Sequence, residues 1–329
     1  MADDVKKREI VVSELYPMLL EAALHIKVWG GRKLAAVMGK DLPTADPYGE
    51  AWEVHDSCTV INGPLAGHTL GDLLNTYGTA MIGDGNNPAD GLPLLIKLLD
   101  AADWLSVQVH PNDEQAAALE GQPRGKTEAW YIIATEPTAK LIIGVEPGTD
   151  REEMTAAIRE GRLGDMLVAA DINPGDLLYI PAGTVHAIGP GTLLYEVQQS
   201  SNTTYRLYDW GRVGLDGTPR ELHIEKGVQV SNVDSVPAIT HPGQSPARTV
   251  TAVQGDYFIT TLHNMAGHPL ALDTNGTHFH TLTCIAGDVT VSAGEITITL
   301  PTGRSAFIPA AVGAYTLSGD GQVLRSAQV

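Results

Sequence analysis

The sequence predicts a mainly β protein made of two small barrels, and three observations carry that expectation. From residue 127 onward short apolar runs follow one another closely: "TEAWYIIAT", "AKLIIGV", "GDLLYIP", "TLLYEVQQ" and "TTYRLYDW". Runs of that length and spacing suit a sandwich or small barrel. The 35 glycines and 20 prolines are spread along the 329 residues, which implies frequent chain reversals rather than long helices. Finally, "GDLLYIPAGTVH" (175–186) and "GRSAFIPAAVGA" (303–314) share a Gly, four residues ending in an aromatic, then Ile-Pro-Ala. In each copy the Gly turns the chain, the apolar residues enter a strand and the Pro ends it.

Taken in order, "LHIKVWGGRKLAAVMG" reads as a strand, a glycine turn and a short continuation, and "EAWEVHD" as an alternating strand. A helical interval follows, with Leu70, Leu73 and Leu74 at helical spacing and Thr69 before Asp72 as its start. "PLLIKLLDA" reads as a buried strand and "NDEQAAALEG" as a short helix capped by Asn112 and stopped by Gly121. In "LSVQVHPND" a period of two sets Leu105, Val107 and Val109 on one side, facing outward, and Ser106, Gln108 and His110 on the other. A second helical insertion opens at Asp150, with Glu153 three residues on as in a capping box. "VDSVPAITHPGQSPARTV" reads as a linker to a second run of strands. The expected division is 1–238, with helical insertions at about 65–90 and 148–170, and 239–329.

The formal charge of −18 argues against a nucleic-acid or anionic-membrane surface. No apolar run is long enough for a signal peptide or a span, and the N-terminus carries acids before its lysines, so a cytoplasmic protein is expected. Cys58 and Cys284 are far apart, outside any CxxC pair, and read as reduced, packed thiols.

Chemistry concentrates in the first copy. Gln108 and His110 share a strand face, as do Lys126 and Glu128, and His186 closes the repeat motif. Two imidazoles, a carboxylate and an amide oxygen form a divalent-metal set. In the second copy Ala314 stands where His186 stands in the first. His278 and His280 look like a ligand pair there, but no Glu follows at suitable spacing and no His closes the motif, so a polar strand is the preferred reading.

The pattern G-x5-P-x-G-x2-H, met by Gly175, Pro181, Gly183 and His186, is the second motif of the cupin barrels, and "QVH" followed 18 residues later by Glu128 resembles the first. Two cupin-type (jelly-roll) barrels are therefore expected, the C-terminal one without metal ligands. Around these motifs "PLLIKLLDAADWLSVQVHPND", "GKTEAWYII", "IPAGTVHAIG", "YEVQQSSNTTYRLYDWGR" and "RELHIEKG" resemble the type I phosphomannose isomerases, in particular their short bacterial form. "VWGGRKL" and "FIPAAVGAYTLSG" resemble the two ends of that family. The resemblance implies isomerisation of mannose 6-phosphate and fructose 6-phosphate with one bound zinc ion per chain. It implies Gln108, His110, Glu128 and His186 as metal ligands and Arg206 as the catalytic arginine.

Passage through a cis-enediol places charge on the sugar oxygens, which a metal or a guanidinium stabilises, and needs a base at the carbon-bound proton. Glu196 and Lys126 are the candidate bases. Ser106 and Arg212 are the candidate phosphate ligands, although Arg212 in "DWGR" also suits a turn pair with Asp209. The short helical insertions leave room for only a small lid, and His55 is an extra imidazole expected at the surface. A small-molecule sugar phosphate is the expected partner of a monomer or homodimer. A sugar-phosphate-binding double cupin without turnover and an iron-dependent cupin oxygenase are the alternatives; Lys126 with Arg206 argues against the oxygenase.

Overall fold

In the computed structural model, residues 15–329 are described; the acidic and lysine-bearing start of the chain, residues 1–14, lies outside the described residues. Two seven-stranded sheets form the centre. The first runs Ile239–Thr240, Leu177–Ile180, Glu128–Thr135, Thr192–Gln199, Leu94–Ala101, Ala23–Gly31 and Tyr48–Val54. The second runs Thr249–Gln254, Phe258–Asn264, Gln322–Gln328, His280–Ala286, Ser305–Ile308, Met18–Glu21 and Thr59–Val60. Alternation along each strand gives each sheet two apolar faces. Tyr131, Tyr195, Val197, Ile96 and Leu98 of the first meet Phe258, Leu262, Phe307 and Leu324 of the second in one core.

The opposite faces line two lumens. In the N-terminal unit Trp130, Leu178, Ile180 and Leu194 pack on Leu141, Ile143 and Ile188 of a three-stranded sheet. In the C-terminal unit Leu282, Cys284 and Val323 pack on Val289, Val291, Leu300 and Leu317 of a four-stranded sheet. This is the expected pair of cupin-type barrels in a mainly β chain.

The helical intervals fall where the periodicity puts them. Leu70–Tyr77 starts in a capping box between Thr69 and Asp72 and buries Leu70, Leu73 and Leu74 in the inter-sheet core. After Thr79–Ile82 the chain turns at Gly83 (φ +84°), where a Cβ would stand 1.8 Å from the carbonyl oxygen of Thr277, so only glycine allows this contact with the C-terminal barrel. Asp113–Glu120 is capped by Asn112 and ends at Gly121 in the left-handed conformation. Arg151–Arg159, capped by Asp150, lays Met154 and Ile158 on Val107, Val109, Val185 and Leu207, behind the strands of the site.

Four details differ from expectation. The continuation after Gly31 is a helical turn, Lys33–Ala36, whose first N–H donates to the Asp100 carboxylate from a neighbouring strand. The regular strand begins only at Val107, so Leu105 escapes the period of two: it packs with Leu99 and Trp130 in the lumen instead of facing outward. Met18–Glu21 pairs with Ser305–Ile308, placing an early segment in the C-terminal sheet (Met18 opposite Phe307). Conversely Ile239–Thr240, in the expected linker, pairs with Leu177–Leu178, and His241 Nδ1 lies 2.6 Å from Asp176. Both cysteines are buried and unpaired. No helix among the described residues is long and apolar enough to cross a membrane.

One ion pair is sealed between the barrels: Lys40 Nζ lies 2.6 Å from Glu53, whose other oxygen accepts from Ser305 Oγ at 2.9 Å. Neutralising one partner strands the other charge without water. Lys40→Met is expected to cost about 3–5 kcal/mol in denaturant unfolding. The double variant Lys40→Met with Glu53→Leu should recover most of that loss; equal stability of the wild type and Lys40→Met would show the pair to be solvated.

His280 gives a pH dependence. Burial drives its imidazole down to about 3, with Arg325 adding to the effect, while in the unfolded chain it titrates near 6.5. The unfolded chain therefore binds more protons between those values. This contribution to stability is complete above pH 6.5 and is lost as pH falls toward 3, by at most about 1.4 kcal/mol per pH unit. The melting temperature is expected to fall through this window, and less steeply in His280→Gln.

Candidate active site

The site is assembled by strand ends that meet at the mouth of the N-terminal lumen. Glu128 opens its strand opposite both Ile180 and Gln198 and is fully buried. Gln108 and His186 exchange two backbone hydrogen bonds of 2.9 Å, and the carbonyl of His110 accepts from the Gly183 N–H at 2.8 Å. Gly183 takes φ +88°, which lets the P-x-G turn bring His186 back to this point.

His110, Glu128 and His186 can offer ligand atoms that all lie within 4.8 Å of one another. His186 Nε2 is 3.3 Å from Glu128 Oε1, His110 Nε2 is 3.7 Å from Oε2, and the Gln108 amide nitrogen donates to His186 Nε2 at 3.3 Å. Each Nδ1 donates to a carbonyl, His110 to Thr203 and His186 to Thr184, both at 2.9 Å. A carbonyl only accepts, so the proton sits on Nδ1 and each Nε2 presents a lone pair to the centre. Burial holds His110 well below the usual range and His186 down to about 4, so both are neutral. Burial also pushes the Glu128 carboxyl up to about 7, against the pull of Lys126 at 2.9 Å. His110 Nε2 and Glu128 Oε1 are buried without a hydrogen-bond partner. Neutral imidazoles and a buried carboxylate with orphaned acceptors converging on one point fit a divalent cation.

This centre adjoins a cavity of about 380 Å³, of the size of small-molecule sites. Ser106, Gln108, Lys126, Glu196 and Arg206 line it. Arg206 lies opposite Gln108 in the strand pair, with Nη1 donating to the Glu221 carbonyl at 2.8 Å and a buried Nε free. Ser106 Oγ donates to Gln108 Oε1 at 3.3 Å. Glu196 is fixed between Lys97 Nζ at 2.8 Å and Trp130 Nε1 at 3.0 Å. Burial opposes its charge most strongly, but Lys97 and Lys126 together overcome that and bring the carboxyl down to about 2.

Arg212 is placed otherwise. Its guanidinium is spent on Asp209, at 2.9 and 3.0 Å, and on Asp103 at 3.4 Å, and it is not part of the cavity wall. The same Asp209 holds Arg220, which is in the wall. Arg212 thus stands behind Arg220, and the turn pair weighed for "DWGR" is the geometry found. His55 stacks edge-on against Trp52 with ring centroids 4.6 Å apart, its Nδ1 beside Ser57.

Lys97, Glu50, Trp52, Lys27 and Arg220 also line the cavity and were not singled out in the sequence. A signal existed for Lys97: a lone lysine inside "LLIKLLDA" is fully buried, and lysine is rarely buried without a partner. Glu50 and Trp52 follow from the alternation of "EAWEV", two residues apart on one face. In all, the wall carries five cationic groups (Lys27, Lys97, Lys126, Arg206, Arg220) and two carboxylates (Glu50, Glu196), inverting the sign of a chain with net charge −18.

Fold and site define a double-cupin protein with a candidate metal site in one barrel. The model of the phosphomannose isomerase type I catalytic domain matches residues 18–140, and that of the mannose-6-phosphate isomerase cupin domain matches 248–328. Mannose-6-phosphate isomerase ManA of Bacillus subtilis (strain 168) is 35% identical, covering 94% of this chain and 98% of its own. Mannose-6-phosphate isomerase of Streptococcus mutans is 33% identical, covering 94% and 98%. The crystal structure of mannose 6-phosphate isomerase from Bacillus subtilis matches with a TM-score of 0.85 at 32% identity, covering 94% of this chain and 99% of that one. The chain belongs to the type I phosphomannose isomerase family.

The two barrels should differ in metal content. Purified His186→Ala is expected to lose at least about nine-tenths of its bound divalent metal by elemental analysis. Ala314→His should gain none. Unchanged metal in His186→Ala would remove His186 from the ligand set.

Proposed function

We propose that the chain interconverts mannose 6-phosphate and fructose 6-phosphate as a zinc-dependent aldose–ketose isomerase, with one zinc per chain held by Gln108, His110, Glu128 and His186. The observation that carries this reading is the cation-rich cavity opening on a buried two-histidine, one-carboxylate centre in a member of this family. Zinc suits nitrogen donors with one carboxylate and an amide oxygen, and when bound it supplies Lewis-acid polarisation of the sugar oxygens. An iron oxygenase with a neutral substrate would have no use for five cations in the wall.

The isomerisation needs no external oxidant. A proton leaves C2 of the open-chain aldose, a cis-enediol forms, and a proton is returned to C1 while the O2 hydroxyl proton is given up and O1 gains one. Arg206, permanently charged and next to Gln108, meets the negative charge on the O1/O2 pair. Glu196 is a poor proton acceptor, because its oxygens are committed to Lys97 and Trp130 and its carboxyl is held down to about 2. It positions Lys97 instead. Lys126, beside Glu128 and on the wall, is assigned to the proton transfer. The phosphate is assigned to Arg220, with the Ser106 hydroxyl as donor and Arg212 acting one step back through Asp209.

In a coupled assay the zinc-loaded protein should form fructose 6-phosphate from mannose 6-phosphate, and a chelator should abolish turnover; chelator-resistant turnover would end the metal-dependent reading. Arg206→Met should keep its zinc and lose about 10²–10³ in kcat. Arg220→Met should raise KM about tenfold or more with a smaller change in kcat. Loss of zinc in Arg206→Met would make that arginine structural.

A further inference from the structure

The C-terminal lumen carries a second polar centre, at the positions that in the first barrel surround the metal set. The repeat places Ile180 and Ile308 in register; Glu128 stands opposite the first and His280 opposite the second. The equivalence continues across the sheet. Glu196 faces Trp130 and Lys97, while Arg325 faces Leu282 and Thr261. Two residues further along, Leu99 opposite Leu194 is matched by His263 opposite Val323. Glu128 and Glu196 of the first lumen are thus matched by a histidine and an arginine, and Leu99 by a histidine.

These groups share one face. Leu282 and Val323 pack in the C-terminal lumen, so His280 and Arg325, two residues away along their strands, and His263, directly opposite Val323, point to the same side. His263 and His280 are both diagonal neighbours of Arg325, about 7 Å away in such a ladder. His278 and Arg248 belong to the same electrostatic neighbourhood and lower His280 and His263 respectively. Among the described residues none of these five groups forms an ion pair with a carboxylate.

Their hydrogen bonding is incomplete. His280 Nδ1 meets Tyr315 Oη at 2.7 Å, His263 Nδ1 meets Thr249 Oγ1 at 3.2 Å, and Arg325 Nη2 donates to Thr261 Oγ1 at 3.3 Å. His263 is 2% exposed, yet its Nε2 is buried without a partner, as are Nε of Arg325, Nε of Arg248 and Nδ1 of His278. Buried polar atoms are rarely left unpaired, and here His263 Nε2 and Arg325 Nε belong to diagonal neighbours on adjacent strands, while Arg248 gives its Nη2 to the His268 and Pro269 carbonyls. At the metal set of the first barrel the orphaned atoms are His110 Nε2 and Glu128 Oε1, acceptors that fit a cation; in the second they include the guanidinium Nε of Arg325, a donor that fits an anion.

We propose that the C-terminal lumen is an anion site for a phosphate-class group, taken as the free ion or as a phosphate monoester, with Arg325 as its fixed charge and His263 as its buried donor. An anion there also supplies the counter-ion that the Arg325 guanidinium lacks.

The test is the melting temperature of the zinc-loaded enzyme on addition of inorganic phosphate or mannose 6-phosphate at constant ionic strength, with titration calorimetry to count sites. At ten times Kd a rise of about 2 °C is expected. Arg325→Met should remove the part of the rise that survives in Arg220→Met, and one of the two sites counted by calorimetry, with isomerase kcat/KM within about twofold of wild type. Should Arg325→Met fail to fold, His263→Gln, expected to weaken phosphate about tenfold, carries the same comparison. An Arg325-dependent rise with inorganic phosphate identifies the free ion as ligand, and one seen first with the ester identifies the monoester; either supports the proposal. No rise in the wild type overturns it, as does a rise that is undiminished in Arg325→Met and disappears in Arg220→Met, which would place the phosphate in the active site alone.

Discussion

Strand register in the N-terminal seven-stranded sheet is the constraint on which the site depends. Glu128 has Ile180 on one side and Gln198 on the other, and Glu196 is flanked by Trp130 and Lys97. With a side-chain period of two, a slip of one residue in Thr192–Gln199 would turn Glu196 into the inter-sheet core and bring Tyr195 or Val197 into the lumen. That slip is prevented from the other face. Tyr195 packs between the two large sheets and its hydroxyl meets Ser326 Oγ of the C-terminal barrel at 2.7 Å. The second barrel therefore does structural duty for the first: it covers the apolar face that fixes which residues see the cavity.

A lumen lined with charge is stable only if those charges answer one another. Lys97 is fully buried, but it is held by Glu196 at 2.8 Å and by Gln198 Oε1 at 2.6 Å, and Glu50, in salt-bridge contact with Lys27 at 3.2 Å, adds to the pull. Burial opposes the charge on Lys97 and is outweighed by Glu196 and Glu50, so its ammonium is held above the ordinary range. Lysine and glutamate shift in opposite directions, each toward its charged form, which describes a mutually stabilised pair. Such a network is preorganised: its dipoles and charges are fixed before a substrate arrives and need not reorganise when charge develops on it.

Much of this was legible in the residues, for physical reasons that also mark where legibility ends. The cupin spacing around Gly175, Pro181, Gly183 and His186 is local, because a turn and a strand end suffice to place an imidazole. His110, Glu128 and His186 bring their ligand atoms within 4.8 Å of one another, with the Gln108 amide nitrogen beside His186. Lys97 and Arg220 were harder, since what brings them to the wall is pairing with strands or carboxylates distant in sequence, Glu196 and Asp209. Leu105 misled because alternation holds only while the chain is a strand, and here the strand starts two residues later. Met18–Glu21 and Ile239–Thr240 could not be assigned from chain order, because each adds to the sheet of the other half. Short edge segments carry too little pattern to declare their partner.

The same register argument explains how two copies of one barrel hold opposite chemistry. In both lumens the framework is apolar, Trp130, Leu178 and Ile180 in one and Leu282, Ala306 and Ile308 in the other, and it is set by the repeat. The polar positions are the same places on the same strands, yet Glu128 and Glu196 correspond to His280 and Arg325. Because strand pairing depends on the backbone and the apolar faces, the charge at a lumen position can change sign while the barrel is kept. What cannot change freely is the balance within each lumen. The first barrel offsets its lysines with glutamates and its buried carboxylate with a cation site. The second holds its bases with Tyr315, Thr261 and Thr249, neutral partners that leave the positive charge uncompensated from within the protein.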